Sequence, residues 1–317
     1  MKSIFRLNPE LPVLVIGAAG VDIVGLVRGE LQARTSSPAT IRTSFGGVAR
    51  NVAENLARLG QAVNLVSVVG QDHNGDQMLE NARQAGVNVD AVLRSASLPT
   101  GTYLAVVNSE GEMQYGLDDM RVVGAMTPEY INAIEDKFDR AALVFLDANL
   151  PKDTLRRVMS IARRKQLPVV ADPTSQALAE KLYRYVPRLQ MVVPNCREAE
   201  VLCDRHISPS SRREALAAAK YLVAQGVEIA IIGLAAFGVC YATSQTSGHV
   251  PALRTPVVDP TGAGDALTAT VLFGLLNDIP IDDAVRLGVT AASLTLRYRG
   301  SVVPDLSLEN LYDQLVM

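Results

Sequence analysis

The sequence predicts an α/β fold, doubly wound about a mostly parallel sheet with helices on both faces, with a small β-sheet lid beside it. Three observations lead there. Apolar runs at 13–17, 63–69, 142–147, 168–172, 191–193 and 228–234 recur along the chain and are apolar throughout, as strands buried on both faces must be. Between them lie patterns with apolar residues three and four apart, at 52–59, 75–85, 128–138, 152–165 and 212–225, which read as amphipathic crossover helices. Two stretches rich in Val, Thr and Ser, 23–45 and 89–117, break this alternation and carry turn signals at Arg28-Gly29 and Ser109-Glu110-Gly111.

Taken in order, the first run closes on Gly17-Ala18-Ala19-Gly20-Val21-Asp22 and opens into the first inserted β segment. Gly46-Gly47 then lead into helix 52–59, and the second strand and helix follow at 63–69 and 75–85. The second insertion comes next, then the remaining strand and helix pairs, and after residue 260 the character changes to three helices, at 261–276, 281–296 and 308–316. Small β insertions beside the carboxyl ends of parallel strands make natural lids. With no internal repeat, low-complexity segment or linker, the expected organisation is a single domain over 1–317 with its lid strands inserted at about 23–45 and 89–117.

Composition narrows the function. Of 317 residues, 48% are hydrophobic and 20% charged, ample for a packed core and unlike a disordered chain. A net charge of −3 lacks the basic face that nucleic acid requires, although a few backbone amides suffice for a small anion. Cys196, Cys203 and Cys240 form no C-x-x-C pair and read as buried, reduced side chains. The N-terminal apolar stretch is interrupted by Pro12 and has no small-residue cleavage site, and the longest uncharged run, 229–248, is broken by Gly233 and Gly238. A cytoplasmic protein with no nucleic-acid or membrane partner is expected.

Four segments can carry chemistry. The sharpest is Asp259-Pro260-Thr261-Gly262-Ala263-Gly264-Asp265 at a loop-to-helix junction. Its small residues leave amides uncovered at a helix N-terminus, a site for negative charge, and Asp265 in the first turn is placed either as a general base or as an ordinary capping residue. Phe45-Gly46-Gly47 leading to Asn51 lets a ligand approach the backbone beside an amide that both donates and accepts; a tight turn before a helix has the same pattern. Asp22, just past the first strand's carboxyl end, is either a bridge between two sugar hydroxyls or a solvated turn residue. No helix begins directly after Gly17–Gly20 and the G-x-G-x-x-G spacing is absent, so a dinucleotide site is excluded. Asn195 and Glu198, three apart after the strand 191–193, suit hydrated Mg²⁺ and equally suit a capping box.

Together and in this order, over roughly residues 11–305, the four segments resemble the ribokinase/PfkB carbohydrate-kinase family. The resemblance implies a ribokinase-like fold and an ATP-dependent kinase of a small sugar or nucleoside. Gly262, Ala263 and Gly264 would stabilise the transferring phosphoryl group, and Asp265 would be the catalytic base. Asp22, Gly46, Gly47 and Asn51 would hold the sugar. Asn195 and Gly238 would meet the nucleotide, Glu198 would order Mg²⁺ through water, and K⁺ would be held around Asp259, Thr261, Thr295 and Gly300. The lid would also pair two subunits as a homodimer. The sequence departs from the family at Gly233 and Ala235, where members commonly carry Thr or Lys and then Gly near the nucleotide phosphates. Within the family, the version of the first signature with Arg50 before Asn51, the lid run Asp118-Asp119-Met120 and the segment Asp147-Ala148-Asn149 resemble the members that phosphorylate pseudouridine. Thr102, Tyr103, Asp118 and Asp119 on the lid could then meet the base. A protein that binds a sugar or nucleoside without phosphorylating it is the alternative, and it has no use for Asp265 beside an anion site.

Overall fold

The computed structural model describes residues 7–109 and 113–315. The chain runs β1 (Val13–Ile16), β2 (Gly20–Val27), β3 (Ala39–Gly46), α1 (Val48–Arg58), β4 (Val63–Gly70), α2 (His73–Gln84), β5 (Asn88–Ser95), β6 (Gly101–Val107) and β7 (Met113–Asp119). It continues through α3 (Pro128–Ala133), α4 (Glu135–Asp139), β8 (Leu143–Asp147), α5 (Lys152–Arg164), β9 (Val169–Asp172), α6 (Gln176–Ala179), β10 (Met191–Val192), α7 (Cys196–Cys203) and α8 (Arg212–Ala224). It ends with β11 (Ile229–Gly233), β12 (Val239–Thr243), β13 (Ser247–Val250), α9 (Ala263–Leu276), α10 (Ile281–Arg297) and α11 (Leu308–Leu315).

Nine strands form one sheet in the order β13-β12-β11-β10-β9-β8-β1-β4-β5, parallel except where β12 turns back against β11 and β13. Alternate residues of β1 feed two cores. Val13 and Val15 pack with α1, α2, α9 and α10, while Leu14 and Ile16 pack with α3, α5, α7 and α8 on the other face. Helix α9 is buried from Asp265 to Leu276, which explains why its sequence is apolar all round. The three cysteines are free and buried. Among the described residues no helix is long and apolar enough to cross a membrane.

A second sheet, β3-β2-β6-β7, stands beside the carboxyl ends of β1 and β4. This is the expected lid with corrected bounds. Residues 88–95, assigned above to the second insertion, instead form β5, which pairs parallel with β4 at the edge of the main sheet. Part of the turn expected at Ser109-Glu110-Gly111 lies outside the described residues. The single helix expected over 128–138 is two short ones that part at Ile134. The antiparallel hairpin β12–β13 had no counterpart among the expected elements.

Candidate functional site

Parallel strands put their carboxyl ends on one edge, where open α/β sheets bind ligands. Three of those ends here carry an aspartate or lead into one: Asp22 after β1, Asp147 closing β8 and Asp172 closing β9.

Asp147 organises the edge. Helix α1 starts at Gly47, which has no side chain to cap it, and Asp147 substitutes from across the sheet. It accepts hydrogen bonds from the amides of Ala18 (2.8 Å), Ala49 (3.1 Å) and Asn149 (2.9 Å). Burial raises its pKa and these amides oppose the shift. Gly47, at φ 94°, has no room for a side chain, because a Cβ would lie 2.5 Å from the Ala18 carbonyl oxygen. One carboxylate therefore clamps the β1–β2 turn onto the start of α1. Asp147→Ala orphans two buried amides and one partly buried one and should cost on the order of 3 kcal/mol. A thermal melt should show Tm lowered by several degrees, and an unchanged Tm would remove the clamp.

Asp22, near the start of the lid strand β2, is buried, its pKa pushed up to about 6 by burial, with Arg50 opposing and Asp259 adding to the shift. Gly46 makes room for it, since a Cβ there would come 2.1 Å from the Asp22 carboxylate. Asn51, in the first turns of α1, donates from Nδ2 to Asp265 Oδ2 at 2.7 Å. The first glycine segment and the Asp259–Asp265 segment, 214 residues apart, are thus in direct contact.

Asp265 sits in the first turn of α9. Its N-cap, Gly262, adopts φ 81° and presses against the Ser301 carbonyl, which a Cβ would meet at 1.9 Å. The first amides of a helix have no intrahelical acceptor, and Gly262 has no side chain to serve them. A Cβ on Gly264 would meet nothing within 4 Å, so the space over this N-terminus is open to an anion. Burial pushes the Asp265 pKa up to about 7; the Asn51 hydrogen bond opposes this, Asp147 and Asp22 add to it, and Arg50 lowers it.

Asn195 and Glu198 form a complete capping box at the start of α7. The Glu198 carboxylate accepts from Asn195 N (2.9 Å) and Nδ2 (2.7 Å), and Glu198 N donates to Asn195 Oδ1 (3.0 Å). The capping alternative read from the sequence is therefore realised, and each Glu198 oxygen keeps a lone pair. Asp172 nearby is held well above the usual carboxylate range by burial, then by the charges of Glu198 and Asp265. A buried carboxyl raised in this way by neighbouring carboxylates suits a hydrated divalent cation alongside. No group of three or more His, Cys, Asp or Glu among the described residues is arranged to hold a metal directly.

A bridge between Asn195 and Gly233 brings the 233–238 turn to this edge. Gly238, at φ 89°, turns the chain into β12, and a Cβ would meet the Val250 carbonyl at 2.1 Å. Ala235 occupies the left-handed region at φ 48°, a strained position for a residue with a Cβ. The 257–261 loop lies against the end of α10, with Val258 N and Asp259 N donating to Leu296 O (2.7 and 3.3 Å) and Thr261 N to Asp259 Oδ1 (2.9 Å). Gly300 is near this helix end at φ 143°, but the Thr295 hydroxyl is turned onto its own helix, donating to Ala291 O at 3.0 Å.

Lid register separates the residues named there. Asp22 aligns with Ser44, Tyr103 and Asp118, so these share one face. Thr102, expected at the acceptor, falls in the neighbouring row with Val21, Phe45 and Asp119 on the opposite face, its hydroxyl bonded to Thr100 O at 3.3 Å. Asp119 is engaged by Arg121 through two hydrogen bonds of 2.7 Å. Sequence reasoning did not find the clamp at Asp147, the buried Asp172 or Ser301. An apolar run closing on Asp, as in both β8 and β9, is the signal that was available for the first two. It also did not find a cavity of about 350 Å³ between β12, β13 and α10, walled by Tyr241, Val250, Leu253, Arg286 and Val289.

Comparison with known proteins agrees with this geometry. Residues 11–307 match the pfkB family carbohydrate kinase family. The chain is 31% identical over 300 residues to pseudouridine kinase of Escherichia coli, covering 94% of this chain and 95% of that one. It is 28% identical to guanosine-inosine kinase of Exiguobacterium acetylicum, covering 93% and 97%. The structure of a carbohydrate kinase from Agrobacterium tumefaciens superposes with a TM-score of 0.82 at 28% identity, covering 96% and 97%. With a buried aspartate in the first turn of an open helix start, a small second sheet beside the carboxyl edge and a match along almost its whole length, the chain belongs to the pfkB family of carbohydrate kinases, ATP-dependent enzymes that phosphorylate sugars and nucleosides.

Proposed function

We propose that this kinase transfers the γ-phosphoryl group of ATP to the 5′-hydroxyl of pseudouridine, with Asp265 as general base. The observation that carries the chemistry is the Asp265 carboxylate, held by Asn51 at 2.7 Å beside the uncapped start of α9. The acceptor rests on the likeness to the E. coli pseudouridine kinase and on the polar row Asp22, Tyr103 and Asp118.

The acceptor hydroxyl lies between Asp265 and the amides of Gly262, Ala263 and Gly264. Its proton passes to Asp265 as its oxygen bonds to the γ-phosphorus in line, and the bond from that phosphorus to the β,γ-bridging oxygen breaks to release ADP. The amides meet the charge on the phosphoryl oxygens. Mg²⁺ supplies neutralising charge to the phosphates when bound, with Glu198 ordering its water shell. Around Asp259, Thr261, Thr295 and Gly300, where the Thr295 hydroxyl is already bonded to Ala291 O, a K⁺ would be held by carbonyl oxygens and would supply further positive charge beside the helix start. Asn195, Gly238 and the 350 Å³ cavity, with its apolar wall at Val250, Leu253 and Val289, receive the nucleotide.

Asp22 holds the ribose 2′- and 3′-hydroxyls, together with the free amide hydrogen of Asn51. The C-glycosidic base offers a ring N–H where uridine has C–H, and Asp118 is the acceptor that reads it. The outer lid face carries Ile41, Tyr115 and Leu117, all more than 60% exposed, and is the surface through which two subunits would pair.

Steady-state rates with MgATP on pseudouridine, uridine, ribose, fructose and adenosine test the acceptor. Pseudouridine should give the highest kcat/KM, and its 2′-deoxy analogue should lose about 10²-fold, because a buried carboxylate is left unpaired. A faster ribose or fructose reaction overturns the acceptor and leaves the kinase standing. Glu198→Gln keeps a side chain able to complete the capping box, so Tm should hold while the Mg²⁺ concentration for half-maximal rate rises. An unchanged Mg²⁺ response would confine Glu198 to capping.

A further inference from the structure

Arg50 lies one residue before Asn51, is only 3% exposed, and has an Nε with no hydrogen-bond partner. Burying a cation with an unsatisfied donor is costly, so its other contacts are informative. Nη2 pairs with the Glu54 carboxylate and donates to Asn81 Oδ1 at 2.6 Å. Nη1 donates to Phe45 O at 3.1 Å and to Asn51 Oδ1 at 3.0 Å. Ser301, 250 residues from Asn51, directs its hydroxyl hydrogen between Phe45 O (2.5 Å) and the same Asn51 Oδ1 (3.0 Å).

A guanidinium has donors only, so the Asn51 atom facing it must be the oxygen, and the NH₂ group must then face Asp265. Arg50 takes one lone pair of Oδ1 and Ser301 shares its single proton between Oδ1 and Phe45 O, so that oxygen is already engaged on the side away from Asp265. Were Arg50 absent, the amide could turn over and present Oδ1 to Asp265, an arrangement favourable only to a protonated carboxyl. We infer that Arg50 is a positioning residue for phosphoryl transfer: by occupying Asn51 Oδ1 it aims the Asn51 amide N–H at Asp265 and keeps that carboxylate ready to accept a proton. The consequence for turnover rests on Asp265 being the base; the amide orientation does not. Charged groups bearing on Asp265 are Asp22 from β2, Asp147 from β8, Asp172 from β9 and Arg50 itself from α1. Among these groups Arg50 is the one that opposes the three carboxylates, and it does so both as a charge and through Asn51.

Titration of the Asp265 carboxyl by ¹³C NMR in the ligand-free protein separates these two routes without depending on catalysis. Arg50→Met should raise the midpoint by about one pH unit. Ser301→Ala, which removes no charge, should raise it by a smaller amount. In an Asn51→Ala background the Arg50→Met shift should fall to less than half. On whichever acceptor the panel finds fastest, Arg50→Met should lower kcat about 10-fold at pH 6.5, with recovery toward wild type near pH 9 and a smaller change in acceptor KM. An Arg50→Met shift of equal size in the Asn51→Ala background, or none in the Asn51 protein, overturns the inference. Should Arg50→Met fail to fold, an unmoved midpoint in Ser301→Ala overturns it equally. Full turnover by Asp265→Asn would instead defeat the base assignment, and the NMR shifts would still decide the amide orientation.

Discussion

Asp265→Asn is expected to lower kcat by about 10²–10⁴-fold while raising the Tm. The amide has the shape of the carboxylate and its oxygen can still accept from Asn51 Nδ2, so the start of α9 and the acceptor pocket should persist and acceptor affinity should change little. What is lost is the proton acceptor. The stability gain follows from the same environment. An aspartate with a folded pKa of about 7, against an ordinary value of 3.8, stabilises the fold fully only below about pH 4 and loses that contribution as pH rises through 7. At neutral pH and above, its charge therefore costs stability, on the order of 4 kcal/mol, and asparagine removes that cost. Calorimetry and steady-state kinetics on one preparation test both halves. Near-normal kcat would dismiss Asp265 as base, and a lowered Tm would show that its charge is compensated better than its burial indicates. In the wild type, the same pKa predicts a kcat/KM that climbs with pH through about 7 and then levels, because only the ionised carboxylate can take the hydroxyl proton.

How far the sequence discloses such a site depends on whether the determinant is local. Strands such as 142–147 and helices such as 152–165 were legible because burial on two faces and on one face write different periods into the chain. The Asn195–Glu198 box was legible as two alternatives, since the spacing that caps a helix also aims an amide and a carboxylate the same way. Partner choice in sheets was not legible. Residues 88–95 have β composition, but nothing in them says whether they join the lid or the edge of the main sheet beside β4. Thr102 shows the same limit at finer scale: side chains alternate along a strand, so one residue separates a place facing Asp22 from a place facing away. Asp147 and Ser301 act on segments 98 or more residues distant. A clamp or an anchor of that kind leaves no pattern near itself, and the family resemblance carried Asp265 and Asn51 without saying what holds them.

Gly46→Ala is expected to reduce acceptor binding far more than its single added methyl group suggests. The position is in a strand with an ordinary backbone, so alanine fits the chain conformation itself. The obstacle is the Asp22 carboxylate, whose Oδ2, Cγ and Oδ1 would lie 2.1, 2.4 and 2.5 Å from the new Cβ. Something has to move, and neither strand can: β2 and β3 are paired along eight residues from Gly20–Gly46 to Val27–Ala39. Asp22 must therefore swing away from the acceptor site. Each charged hydrogen bond to a ribose hydroxyl is worth about 1.5–3 kcal/mol, so losing two should raise acceptor KM by about 10²-fold or more. The phosphate side proposed at Gly262 to Asp265 is untouched by the substitution, and the KM for ATP should stay near the wild-type value. Moving Asp22 toward water also relieves the burial that pushes its pKa up to about 6, so the variant should not be less stable than wild type near pH 7. A Gly46→Ala enzyme with unchanged acceptor KM would show that Asp22 does not hold the acceptor.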